Sequence, residues 1–327
     1  MAGPGAEPGR RPTICLWLRA WRHGGARDSA GVHGGLSRIG ISRRGAVLLG
    51  AAAVLLGGLM SAPGESRPLP LTGLAVLGDS LSDIGNGGRF TNGPVWVEHI
   101  ARRLGVELEP SALGGSNFAV GGARARGGPT DLRAQAEAFL ASRAGAPDSG
   151  WLHVVFGGAN DLLALGAEPD RDVAARAAAG AIADIVDDLA AAGAVHLLVP
   201  NLPDIGRTPA VRARGPAWVS EARRLTRLYN GDLERALAEV EARRSIRLYR
   251  LDVFALLERV LADPAAAGFD DVTTPCLGGA CERALFWDEL HPTAYAHARL
   301  AEAALGALGV PAAAAPSAAG DAPASRS

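Results

Sequence analysis

Apolar runs of strand length alternate along this chain with stretches of helical period, and that alternation constrains the fold more than any other feature. Strand-length runs occur at Leu74–Leu77, around Phe118–Val120, at Leu152–Phe156, at Val195–Val199 and at Ile246–Leu251. Between them, Ile182, Ile185, Val186 and Leu189 recur at helical spacing, and a longer amphipathic stretch runs from Trp218 to Val240. Continuous apolar strands separated by helices require a parallel sheet covered on both faces. A final helix is expected from Pro292, whose fixed φ suits the first helical turn, to about Leu308. With 48% apolar residues among 327, the chain has ample material for such a core.

The ends read differently from the middle. Residues 1–70 carry nine arginines against three acids, whereas residues 71–327 carry 24 arginines against 31 acids. In the basic part, Ser42-Arg43-Arg44-Gly45 precedes an apolar run from Ala46 to Met60, followed by Ser61-Ala62-Pro63-Gly64. Fifteen residues suit the core of an export signal and fall short of the roughly 20 that a spanning helix needs. The arginine pair resembles a twin-arginine signal, without the Phe and Lys that often follow. The expected organisation is a disordered leader with export signal over 1–70, a folded domain over 71–309 and a disordered Ala/Pro/Ser tail over 310–327. Periplasmic or extracellular residence follows, with no stable membrane span after signal removal. The acidic body offers no reason to expect nucleic-acid binding.

All 33 cationic residues are arginine, and there is no lysine. Schiff-base chemistry, Ser-Lys dyads and the P-loop all need an ε-amine, so each is excluded. Of the three cysteines, Cys15 precedes the expected signal, which leaves Cys276 and Cys281 in the loop Thr274–Cys281. In an oxidising compartment these two are expected to pair in a local disulfide. A zinc site is the weaker alternative, because no second cysteine pair or paired-histidine helix accompanies them.

Four blocks carry chemistry. Gly78-Asp79-Ser80-Leu81-Ser82-Asp83 directly follows the first strand, so Ser80 lies at a carboxyl end, where open α/β sheets bind ligands; alone it reads equally as a turn. It is not a nucleophile elbow, since Ser82 stands where that motif needs glycine. In Ser116-Asn117-Phe118-Ala119-Val120-Gly121-Gly122-Ala123, paired glycines give a tight loop or an amide donor for a developing oxyanion. Gly157-Gly158-Ala159-Asn160-Asp161 ends another strand; Asn160 offers either a neutral amide donor or a helix N-cap. In Asp288-Glu289-Leu290-His291-Pro292 an acid three residues before a histidine can hold the imidazole Nδ1–H while Nε2 faces a nucleophile. His297, further into the helix, is expected on the solvated surface.

In this order, the Gly-Asp-Ser-Leu block, the glycine block, Gly158-x-Asn160-Asp161 and Asp288-x-x-His291-Pro292 resemble the GDSL esterases and lipases of the SGNH hydrolase superfamily. The likeness spans Leu74 to about Leu308 and is strengthened by Arg89-Phe90-Thr91-Asn92-Gly93-Pro94-Val95-Trp96 and by Asn201-Leu202-Pro203-Asp204-Ile205-Gly206. It is nearest to the secreted bacterial lipase/acylhydrolase branch. The resemblance implies a three-layer α/β/α sandwich with a flavodoxin-like parallel sheet of about five strands. It also implies a Ser80–His291–Asp288 triad, with an oxyanion hole formed by the Ser80 amide, the Asn160 side chain and the amide of either Gly121 or Gly122, of which Gly121 is favoured because it follows the short apolar run as the family glycine does. The reaction so implied is hydrolysis of a small-molecule or lipid ester through an acyl-enzyme, with no metal or cofactor. An acyltransferase using the same serine and a flavodoxin-like nucleotide or flavin binder are the alternatives.

Overall fold

The computed structural model describes residues 71–166 and 169–310. The expected leader, export signal and tail lie outside the described residues. The strands β1 (Gly73–Gly78), β2 (Trp151–Phe156), β3 (His196–Pro200) and β4 (Arg247–Leu251) form one parallel sheet in the order β1-β2-β3-β4. Every residue of β1 and β3 is buried, as expected for strands covered on both faces.

Phe118–Val120, expected as a strand, departs from regular geometry. It nevertheless runs beside the free edge of β1, because Phe118 N donates to Val76 O (2.7 Å) and Val120 N donates to Gly78 O (3.2 Å). Local side-chain bonds explain the irregularity. Asn117 Oδ1 accepts from Ala119 N, and the Asn117 amide reaches Ser82 O, so the side chain supplies what a second strand partner would.

Among the described residues, eight α-helices accompany the sheet: α1 (Trp96–Leu104), α2 (Leu132–Ser142), α3 (Ala159–Ala164), α4 (Arg171–Ala191), α5 (Pro209–Arg212), α6 (Pro216–Arg243), α7 (Val253–Ala262) and α8 (Ala294–Ala307). α1 packs against α8, while α4 packs against α2 and α6. The chain leaves β1 in one direction through α1 and moves the other way through α2, α4 and α6. Right-handed crossovers therefore put the two sets on opposite faces, giving three layers. Ile182, Ile185, Val186 and Leu189 are all buried on α4, and α6 buries Leu225, Tyr229, Leu233, Leu237 and Val240. A separate pair, β5 (Asp271–Pro275) and β6 (Ala284–Phe286), flanks the loop in which Cys276 and Cys281 are disulfide-bonded. Among the described residues, no helix is long and apolar enough to cross a membrane.

The last helix starts later than Pro292. Thr293 is its N-cap, with Oγ1 accepting from Ala296 N at 3.1 Å. Pro292 instead bridges back to Phe286, and Thr293 N donates to Leu285 O. His297 is 1% exposed rather than solvated, because α8 turns that face onto α1. Its Nδ1 accepts from Trp96 N at 3.3 Å, and burial pushes the imidazole down to about 3.

Candidate active site

β1 and β2 pair in register from Gly73↔Trp151 to Gly78↔Phe156, so their carboxyl ends coincide. Ser80 lies two residues beyond one end and Asn160 four beyond the other. At the end of β1 the backbone turns sharply: Asp79 O accepts from both Ser82 N and Asp83 N, and Asp79 Oδ1 accepts from Leu81 N at 3.0 Å. The turn leaves the Ser80 side chain at the surface end of a buried strand. Gln135 of α2 clamps Gly78, its Oε1 accepting from Gly78 N and its Nε2 donating to Gly78 O, both at 2.8 Å. This clamp holds the base of the turn at the last residue of the sheet ladder.

His291 comes from the turn between β6 and α8. Asp288 Oδ1 accepts from Leu290 N (2.8 Å) and His291 N (2.7 Å), which curls the turn so that the ring three residues on lies against the same carboxylate. His291 Nδ1 is 2.8 Å from Asp288 Oδ2, and Nε2 is 2.9 Å from Ser80 Oγ, a contact across 211 residues of sequence. Burial raises the Asp288 carboxyl, but the His291 ring and the two backbone amides outweigh it and hold it below its usual value. The turn is supported from outside by Ala210 N of α5, which donates to Glu289 O at 2.9 Å. A carboxylate on Nδ1–H fixes the tautomer whose unprotonated Nε2 can take a hydroxyl proton.

Asn160 lies in the first turn of α3. The N-cap there is Gly158, whose φ of 100° is in the left-handed region; a Cβ on it would also meet Tyr229 Oη at 2.4 Å. Asn160 Nδ2 donates to Ala123 O at 2.9 Å, which orients the amide and leaves its second hydrogen for another acceptor. Asp161 accepts from Ala125 N, so consecutive residues of the third block hold the glycine block in place. Burial pushes the carboxyls of Asp79 and Asp161 up, each to about 6.

Of the two candidate amide donors in the glycine block, the favoured Gly121 is the less available. Its amide donates to Asp83 Oδ2 at 2.8 Å and is therefore already committed. Gly122 is exposed with φ 81°, has open space where a Cβ would be, and its amide has no acceptor among the described residues. The same holds for the Ser80 amide. Asp83 and Gln135 contribute to this site without having been singled out by chemistry. For Asp83 the available signal was its place in a Gly/Asn-rich turn, where a carboxylate has many amides to accept from. Among the described residues, no group of three or more His, Cys, Asp or Glu side chains could hold a metal ion.

The sequence profile of the GDSL-like lipase/acylhydrolase family matches residues 74–304. The chain is 26% identical over 330 residues to the phosphatidylcholine-sterol acyltransferase of Aeromonas hydrophila, covering 79% of this chain and 94% of that protein. It is 29% identical over 316 residues to esterase EstA of Pseudomonas aeruginosa, covering 74% of this chain and 47% of EstA, so it spans about half of that protein. Among solved structures, an acetylxylan esterase from Geobacillus stearothermophilus is 19% identical with a TM-score of 0.47, over 73% of this chain and 94% of that one. With four ordered blocks inside a family match that takes in most of the chain, this protein belongs to the GDSL-like lipase/acylhydrolase family and is a hydrolase of ester bonds.

Proposed function

We propose that this protein is a serine carboxylesterase or lipase that works through an acyl-enzyme. The hydrogen bond of 2.9 Å between Ser80 Oγ and His291 Nε2, with Asp288 behind the ring, carries the reading. Ser80 Oγ attacks the ester carbonyl as its proton passes to Nε2, and Asp288 stabilises the imidazolium. The free hydrogen of Asn160 Nδ2 and the amides of Ser80 and Gly122 stabilise the oxyanion, with Gly122 taking the place expected of Gly121. His291 then protonates the leaving alcohol, and water attacks the acyl-enzyme by the same route in reverse. No step calls for a metal or cofactor.

Ser80→Ala tests this reading. The purified variant should keep its melting temperature and lose both p-nitrophenyl ester hydrolysis and labelling by a fluorophosphonate probe. Turnover retained by the variant would remove Ser80 from the mechanism.

Acyl transfer is the second reading, favoured by the Aeromonas relative, which is named an acyltransferase and is covered over nearly its whole length. The two differ only in what attacks the acyl-enzyme. Comparing release of free acid with formation of a new ester in the presence of an alcohol or sterol distinguishes them. Export completes the proposal. The Arg43-Arg44 pair with its apolar run supports it, as does a disulfide suited to an oxidising compartment. Fractionation of cells expressing the full chain tests it.

A further inference from the structure

Between the serine block and α1, residues 89–95 form a strap across the histidine-bearing turn. Its ends are pinned. Arg89 forks onto the Glu98 carboxylate at 2.7 and 2.9 Å and also donates to Gly93 O at 2.8 Å. Asn92 Oδ1 accepts from Ala294 N at 2.7 Å, tying the strap to the first residue of α8. Just beyond it, Trp96 Nε1 donates to Ser82 Oγ at 3.0 Å, which ties the far end to the serine block. Between these anchors the half-buried Phe90 ring packs against the His291 ring, with centroids 5.2 Å apart and planes inclined by 34°. At its Cε2–Cζ edge the ring meets the glycine block, where a Cβ on Gly121 would fall 2.2 Å from Phe90 Cε2 and 2.3 Å from Cζ. Phe90 thus contacts both the imidazole and the glycine loop.

We propose that Phe90 is a positioning residue for ester hydrolysis, its π face keeping His291 in line with Ser80 and stabilising the imidazolium that forms during proton transfer. The inference rests on the Ser80–His291 reading above. In that step the Oγ–H bond breaks as Oγ bonds the carbonyl carbon. The proton joins Nε2, and the ring becomes a cation while the carbonyl oxygen becomes an anion. A cation within about 6 Å of an aromatic centroid is attracted by the ring quadrupole. Phenylalanine has no donor or acceptor, so it competes neither with Ser80 for Nε2 nor with Asp288 for Nδ1, and it keeps water off the ring. The charged and titratable groups that also face His291 are Asp288 on its own turn, Asp79 at the end of β1 and the buried His297 on α8. Arg89, on the strap itself, is committed to Glu98. Phe90 adds no charge to this set, so its effect falls on the cationic state of the ring.

Fluorinated phenylalanines at position 90, up to pentafluorophenylalanine, preserve the shape and progressively cancel the π-face potential. With p-nitrophenyl butyrate, the acid limb of kcat/KM should move stepwise to lower pH, by about half a unit or more at full fluorination. Over the same series kcat should fall about three- to tenfold, with KM changing less than twofold. Phe90→Trp should place the limb at or above its wild-type position. An acid limb that stays fixed through the series, or that follows side-chain size rather than fluorination, overturns the proposal. NMR titration of the His291 ring in the same proteins reads the midpoint without turnover. Loss of the serine-esterase reading would then show as absent hydrolysis in the unsubstituted protein, whereas loss of this inference would show as an unmoved midpoint.

Discussion

The Gly121 amide donates to Asp83 Oδ2 at 2.8 Å, joining the serine block to the glycine block across 38 residues. The same carboxylate accepts from Gly85 N and Asn86 N through Oδ1 and from Gly87 N through Oδ2. Four amides thus converge on one fully buried carboxylate. A tight Gly/Asn-rich turn can point several N–H groups inward only if an acceptor of this capacity occupies its centre.

Asp83→Asn tests that dependence. One of the two acceptor oxygens becomes an NH2 group facing amide donors, so at least one pair of these hydrogen bonds is lost. Stability should fall by about 1–3 kcal/mol, read by urea denaturation. The glycine loop should also loosen, lowering kcat/KM by about tenfold. Unchanged stability and unchanged kinetics together would show that the convergence on Asp83 is incidental.

Asn160→Ala removes the proposed side-chain donor while leaving the backbone of α3 intact. Because Ala123 O already orients the amide, the lost hydrogen is one that was prepaid in position. The expected cost is about 3 kcal/mol in the transition state, which is a fall of about 100- to 1,000-fold in kcat with KM little changed. A wild-type kcat in the variant would take Asn160 out of the oxyanion hole.

His297 makes a prediction about acid stability. Burial holds the folded-state imidazole down at about 3, whereas the unfolded chain binds a proton near the ordinary value of 6.5. The neutral ring is therefore fully compatible with the fold above about pH 6.5, and stability drains away as pH falls from there towards 3. The slope is of order 1 kcal/mol per pH unit. His297→Asn keeps an acceptor for the Trp96 amide and removes this titration. Its chemical-denaturation midpoint should vary less between pH 6 and pH 4 than that of the wild type, and parallel profiles would refute the assignment.

The Cys276–Cys281 disulfide closes a short loop beside β6, and Cys276 N donates to Phe286 O at 3.0 Å. Two residues after Phe286 comes Asp288. Replacing both cysteines with serine should cost about 2 kcal/mol of stability by the loop-closure relation. Calorimetry of the variant and of the reduced wild type should agree. A reduced wild type as stable as the oxidised one would show that the bond contributes nothing to the fold.

Much of this architecture is legible in the amino-acid sequence. Leu74–Leu77, Leu152–Phe156, Val195–Val199 and Ile246–Leu251 became β1 to β4 because continuous apolar runs of that length have few other uses. Phe118–Val120 was only half legible. Its pairing with β1 follows from the same apolar character, but the side chain of Asn117 takes over ladder positions in a way that composition does not announce. The start of α8 was displaced by Thr293, whose cap competes locally with the preference of Pro292 for a first turn.

The amino-acid sequence by itself determined the chemistry: which groups could act without an amine, their order, and the three-residue spacing that lets Asp288 hold His291. Those properties reside in residue type and local turn geometry, and they travel with the chain. The tertiary structure decided which groups are free to act. Gly121 and Gly122 are chemically identical and adjacent, yet Asp83, 38 residues upstream of Gly121, claims only the Gly121 amide. His291 and His297 differ by six positions, yet one ring meets Ser80 and Phe90 while the other is sealed against Trp96. Whether a donor is committed and whether an imidazole is hydrated are set by distant partners. They emerge only when the layers close.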